Sequence, residues 1–352
     1  MSRREDLKAQ AAERILIFDG AFGTQIQNRK LTEADYAGDL GLNADQKGNN
    51  DILALTRPDV IADITRAYLD AGSDVISTNT FSANRISQAD YAAEDLVRDI
   101  NIASARIARE LADEYAAKDG RPRFVAGAIG PTNKTLSLSP DVEDPGYREI
   151  DFDYLTGVYR EQAEALVEGG ADFILIETIF DTLNAKAGIM AVRQLSHALG
   201  RPNDDGVPIM LSMTLTDLSG RNLSGHTVEA FWNAVRHANP VTIGLNCSFG
   251  AEQLRPHVQV LSAIADTLLL IYPNAGLPNE LGEYDEQPET TASLVGDWAD
   301  HGRVNILGGC CGSSPAHIAA MAKRVAGVAP REVPKGDNTM RLAGLEPFVI
   351  AA

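Results

Sequence analysis

Eight short apolar runs, most of them ending in a polar or thiol side chain, set the tightest limit on what this chain can fold into. They are Ile15-Leu-Ile-Phe-Asp-Gly20, Val75-Ile-Ser-Thr-Asn-Thr80, Phe124-Val-Ala-Gly-Ala-Ile-Gly130 and Phe173-Ile-Leu-Ile-Glu-Thr178, followed by Ile209-Met-Leu-Ser-Met-Thr214, Val241 to Cys247, Leu268-Leu-Leu-Ile-Tyr-Pro-Asn274 and Val304 to Cys311. Each is almost wholly apolar and rich in β-branched residues, as strands buried on both faces read. Helical patterns lie between them. Pro58 to Gly72 has apolar residues at helical spacing and a glycine stop. Tyr154 to Gly170 repeats this, with Tyr159, Ala163, Leu166 and Val167 on one face. Thr182 to Leu199, Thr227 to Ala238, Ala251 to Ala265 and Pro315 to Val325 behave likewise.

Strands alternating with helices predict an α/β protein, a single (β/α)8 TIM barrel over residues 15–330. Residues 1–14 read as a short N-terminal helix, and 331–352 as a linker followed by a small apolar strap. An open doubly wound sheet is the alternative. Against it, Asp19-Gly-Ala-Phe-Gly-Thr24 lacks the spacing of a phosphate-binding fingerprint.

In a barrel the strand ends converge on one mouth, where active sites sit. Asp19, Asn79, Glu177, Asn246, Cys247, Asn274, Cys310 and Cys311 then face one cavity. The long connections, 21–57 and 131–152, read as lids or binding loops, or else as surface insertions.

The chain has three cysteines, and two of them are adjacent in Gly308-Gly-Cys-Cys-Gly312. Neighbouring cysteines hardly bridge each other, because disulfide geometry is demanding. Three thiols at the ends of two strands suit a metal site with one open position. Inert buried cysteines are the other reading. None of the six histidines ends a predicted strand; His226 and His317 read as surface or capping residues.

Few cysteines and a charged N-terminus without an apolar core predict a cytoplasmic protein. The formal net charge of −18 disfavours nucleic acid and anionic membrane as partners.

Three thiolates around one Zn²⁺ sum to −1, a poor Lewis acid for hydrolysis but a good host for another soft ligand. A coordinating thiol is deprotonated where a free one is mostly protonated. The expected chemistry is transfer of an electrophilic carbon to a substrate thiol. Asp19 and Glu177 fit a substrate ammonium; general acid–base roles or solvated strand ends are the alternatives. Backbone N–H groups from Gly20 and Ala21 to Thr24 could hold a carboxylate. Asn79 counts among the expected substrate contacts. Thiol, ammonium and carboxylate together describe a small amino-acid thiol.

These residues resemble the homocysteine S-methyltransferase family, and within it the homocysteine-binding module of cobalamin-dependent methionine synthases. The resemblance runs from Ile15 to about Ala326 and is carried by Phe18-Asp-Gly-Ala-Phe-Gly-Thr24, Thr78-Asn-Thr-Phe81, Gly127-Ala-Ile-Gly-Pro-Thr132, Ile176-Glu-Thr178, Gly244-Leu-Asn-Cys247, Tyr272-Pro-Asn-Ala-Gly276 and Gly308-Gly-Cys-Cys-Gly312. It implies Zn²⁺ on Cys247, Cys310 and Cys311, with homocysteine sulfur as fourth ligand. It implies Asp19 and Glu177 on the substrate ammonium, and Asn274 at a position that approaches zinc when substrate is absent. The tail Arg341-Leu-Ala-Gly-Leu-Glu-Pro347 looks like the seam before a folate domain. The large enzymes continue into folate, cobalamin and activation domains. Methylcobalamin carried by a partner chain or domain that also binds methyltetrahydrofolate is therefore the expected donor. Relatives that use betaine or S-methylmethionine alone are the alternative, and a non-catalytic, zinc-stabilised partner subunit is a third reading.

Overall fold

The computed structural model describes residues 2–202, 206–337 and 339–350. Met1, Asn338 and the last two residues, which belong to the expected terminal segments, lie outside the described residues. Eight parallel strands form one sheet: β1 Leu16–Ile17, β2 Val75–Ser77, β3 Phe124–Ile129, β4 Phe173–Ile179, β5 Ile209–Met213, β6 Thr242–Gly250, β7 Leu268–Asn274 and β8 Ile306–Leu307. Each strand pairs with the next, and β8 returns to β1. A bridge between Phe18 and Val75, with Asp74 N–H donating to Ile17 O at 2.7 Å, joins β1 to β2 and closes the ring. The (β/α)8 expectation holds, and the open sheet is excluded.

The two faces of the strands sort by alternation. Phe18, Phe124, Phe173, Leu175, Met210, Leu270 and Tyr272 fill the barrel interior together with Leu7 and Ala11 of the N-terminal helix, Arg3–Glu13. Ile17, Ile174, Ile176, Leu211, Ile243, Leu269 and Leu307 face outward and pack under the surrounding helices. The N-terminal helix thus plugs the barrel. Two ion clusters surround the plug: Arg14 and Arg121 on buried Asp74, and Arg3 and Arg109 on Asp172.

Two helices escape the sequence reading. Val97–Asp119 has 23 residues and buries a stripe that includes Asn101, Ser104, Ala105, Ala108 and Ala112; Pro288–Asp300 buries Thr291, Ala292, Gly296 and Ala299 among others. Small and polar residues interrupt their buried stripes, which also carry Ile100 and Leu111 in the first and Val295 and Trp298 in the second. The 21–57 connection contains helices Phe22–Asn28, Glu33–Ala37 and Leu53–Thr56, whereas 131–151 has no helix or strand. The apolar strap is a hairpin, β9 Met340–Ala343 against β10 Pro347–Ile350. Its turn meets residues 221–227: Thr227 N–H donates to Leu345 O at 3.2 Å, and Arg221 pairs with Glu346. No helix among the described residues is long and apolar enough to cross a membrane.

Candidate active site

The thiols come together through two irregular strand ends. Cys310 and Cys311 follow β8 after Gly308, where a Cβ would sit 2.8 Å from Phe18 Cβ and 2.9 Å from Asp19 O. The segment is laced between β1 and β7: Gly309 N–H donates to Asp19 O, Cys310 N–H to Pro273 O, and Ala275 N–H to Cys311 O, at 3.0, 2.8 and 2.9 Å. Cys247 lies where the register of β6 against β7 shifts between Asn246 and Gly250. It has φ +62°, and Ser248 has φ +59°. Such bulges re-aim side chains beside active sites. The three sulfurs lie within 4.8 Å of one another, with Cys247 to Cys311 at 3.8 Å and Cys310 to Cys311 at 4.0 Å. Tetrahedral ligands on a common zinc, each at the usual Zn–S distance, are about 3.8 Å apart. Donor type and spacing therefore fit this metal.

The thiols share their protons unequally. Hydrogen bonds from Cys247, Cys310 and then Tyr284 bring Cys311 down to about 3. Contact with Cys310 lowers Cys247, but its bond to Cys311 and burial push it up to about 11. Contacts with Cys247 and Cys311, together with burial, raise Cys310 well above the ordinary thiol range.

Asn246, buried at the end of β6, ties this corner together. Its Oδ1 accepts from Thr178 N–H at 3.1 Å and Ser212 Oγ at 2.7 Å. Its Nδ2 donates to Thr178 Oγ1 at 2.9 Å and points at Cys310 Sγ at 3.9 Å. Asn274 is buried, and its Oδ1 has no protein partner.

Asp19 and Glu177 line the same cavity as the thiols. Asp19 accepts from Ser77 N–H at 2.7 Å and from Ser77 Oγ at 2.9 Å. Burial nonetheless raises its carboxyl to about 7, and the Glu177 charge adds to the rise. Burial likewise raises Glu177 to about 7, although Tyr272 donates to its Oε2 at 3.0 Å and opposes the shift. Two carboxylates that repel each other, Asp19 buried and Glu177 half-buried, with no ion pair to Lys or Arg among the described residues, leave a site for a cation.

The backbone nest is narrower than the sequence implies. Ala21 N–H already donates to Ser313 Oγ at 3.2 Å, and Gly20 is boxed in by Tyr68 and Ser313. Ala21 is the N-cap of the Phe22–Asn28 helix, which no side chain caps. Asn79 lines the cavity, but its Nδ2 donates to Asn50 O at 2.7 Å and fixes the β1 connection. His317 caps its own helix with Ser314, while His226 contacts Thr182 and Ser224. Asn246 is at the mouth as its strand-end position implies, whereas the sequence alone does not point to Ser77, Tyr272 and Tyr284, nor to the tie that Asn246 makes with Thr178. Of these three, Tyr272 carries the clearest signal, as a polar ring within an apolar strand.

A family model for homocysteine S-methyltransferase matches residues 16–325. The chain belongs to the homocysteine S-methyltransferase family. Its fold is similar to that of the homocysteine methyltransferase MmuM from Escherichia coli. The metallated form aligns with a TM-score of 0.69 at 23% identity, covering 91% of this chain and 99% of that one. The oxidized form aligns with a TM-score of 0.68 at 22% identity, covering 88% and 96%. In this family member the mouth opens into a cavity of about 1270 Å³. Ligand pockets commonly run to about 300–1,000 Å³. One amino acid would fill only part of this one.

Proposed function

We propose that this family member methylates the thiol of L-homocysteine to give methionine, with Zn²⁺ held by Cys247, Cys310 and Cys311. The observation that carries the reading is one cavity lined by three clustered thiols and two carboxylates without a cationic partner. When bound, the metal would keep the substrate sulfur as a thiolate at neutral pH. Asp19 and Glu177 grip the ammonium, and the amides at the start of the Phe22–Asn28 helix face the carboxylate. Both grips orient the sulfur toward the thiol corner. Asn274, with its unpartnered Oδ1, is the candidate for the fourth position before substrate arrives.

The methyl donor is methylcobalamin, presented at the mouth by a partner chain or domain that also handles methyltetrahydrofolate. The Asn246-Cys-Ser-Phe-Gly250 and Tyr272-Pro-Asn-Ala-Gly-Leu-Pro278 wording and the tail favour this branch, and the width of the cavity supports a large donor. The test is methionine formation from homocysteine with methylcobalamin, methyltetrahydrofolate, betaine and S-methylmethionine. Slow transfer from free methylcobalamin is expected, with none from methyltetrahydrofolate until the partner is added, because docking makes the encounter nearly intramolecular. Brisk turnover on betaine or S-methylmethionine alone would overturn the donor and leave the homocysteine half standing.

A further inference from the structure

The loop between β7 and the Pro288–Asp300 helix brings one aromatic side chain to the thiols. Tyr284 lines the cavity beside Cys247, Cys310 and Cys311. Its ring stands over Gly312, next to Cys311. Asn274 Nδ2 donates to its hydroxyl at 3.5 Å. A phenol can accept one hydrogen bond while donating another. Accepting from the amide leaves the hydroxyl proton for a ligand in the cavity. The contact also fixes which way the Asn274 amide is turned, with Oδ1 left for another ligand.

Gly312 decides where the ring sits. It has φ +79°, and a Cβ there would lie 2.3 Å from both Cβ and Cγ of Tyr284. No L side chain fits at 312 while the ring is in place. The loop is pinned further along by His317, whose Nε2 lies 2.9 Å from Glu286 O. Ser314 N–H donates to the other ring nitrogen of His317 at 3.2 Å, so Nε2 is the donor to Glu286. The residues that follow the two cysteines thus hold the loop that returns Tyr284 to them.

We propose that Tyr284 is a positioning residue of the thiol centre. Its hydroxyl holds the Asn274 amide in the orientation a metal requires, and its ring, seated on Gly312, keeps the loop beside Cys311. This inference rests on the zinc reading of the site. Partners of metal ligands contribute about 10- to 100-fold in metal affinity.

Two variants separate the hydroxyl from the seat. Tyr284→Phe keeps the ring and removes the hydroxyl; Gly312→Ala keeps the hydroxyl and expels the ring. Zinc affinity is measured by competition with a chromophoric chelator, and the metal-free proteins are melted in parallel. Tyr284→Phe is expected to lower zinc affinity about 10- to 100-fold with an unchanged melting temperature. Gly312→Ala is expected to lose at least as much, because a Cβ there expels the ring and also strains the backbone next to Cys311. Wild-type zinc affinity in Tyr284→Phe would overturn the role of Tyr284 alone. A wild-type protein that takes up no zinc would remove the metal reading beneath it.

Discussion

Replacing Glu177 with Gln tests the ammonium site through two readouts that a packing defect would not produce together. The substitution keeps the side chain's shape and its contact with the Tyr272 hydroxyl, and it deletes one charge. Hydrogen bonds to charged groups contribute about 1.5–3 kcal/mol, so affinity for an amino-acid ligand should fall roughly ten- to hundredfold. The second readout is the acid limb. Asp19 and Glu177 both have carboxyls raised to about 7 by burial. An ammonium needs them ionised. If both must ionise, wild-type affinity falls about thirtyfold from pH 7 to pH 6, and about fivefold if only one must. Glu177→Gln leaves one such carboxyl and removes the charge that adds to the Asp19 shift, so the limb becomes shallower and moves to lower pH. L-Methionine is the suitable probe, because it keeps the ammonium and has no titrating thiol. Its binding to wild type and variant is measured by calorimetry between pH 5.5 and 8.5. The same linkage governs stability: a carboxyl that holds its proton more tightly in the folded chain makes the ligand-free protein less stable as pH rises from about 4 to about 7. Stabilisation by methionine should accordingly be greatest above pH 7. An affinity that is flat with pH, or an acid limb identical in wild type and variant, would refute the argument.

Cys310→Ser or Cys311→Ser should abolish methyl transfer and strip most of the zinc while leaving the circular dichroism spectrum intact, since serine is a poor substitute for thiolate but is nearly the same size, and Cys310 only borders the interior cluster; full metal content by mass spectrometry in either variant would contradict this. Leu7→Ala empties a fully buried position in the plug and should cost about 2–5 kcal/mol in denaturant unfolding, against a surface-like change below about 0.5 kcal/mol if the helix merely rests on the barrel.

How much could be read from the sequence depended on how each element is buried. Strands enclosed on both faces must be apolar throughout, so six of the eight lie within the runs marked by composition alone, while β4 runs one residue and β6 three residues beyond theirs. Helices with a large-residue stripe, such as Pro58–Asp70, were equally plain. Val97–Asp119 was less plain, because Asn101 and Ser104 interrupt a buried stripe whose large apolar members are only Val97, Ile100 and Leu111. The thiols, Asp19 and Glu177 were legible because a barrel collects its strand ends and few other side chains there carry their chemistry. Their supports were not. Ser77 and Asn246 act across strands 58 and 68 residues away in sequence, and no local pattern reports such a pairing. Tyr284 lies in a loop whose path is fixed by Gly312, itself a residue beyond the cysteines.

A regular strand cannot deliver two consecutive side chains to one cavity, because neighbours point to opposite faces. At this mouth consecutive residues do serve the same corner: Asn246 reaches Cys310 while Cys247 reaches Cys311. Glu177 meets Tyr272 while Thr178 meets Asn246. Left-handed backbone at Thr178, Cys247 and Ser248 breaks the alternation and makes this possible. Each such residue costs about 1–2 kcal/mol, and Thr178 is β-branched, the least suited to it. Asn246 supplies the opposing term. It bonds both the backbone and the side chain of Thr178, and the Ser212 hydroxyl anchors it from β5. The net free energy of about 1 kcal/mol per bond is of the size needed to hold the strain. The amide that points at Cys310 thus also holds the left-handed backbone at Thr178, which ties the geometry of β4 to that of β6.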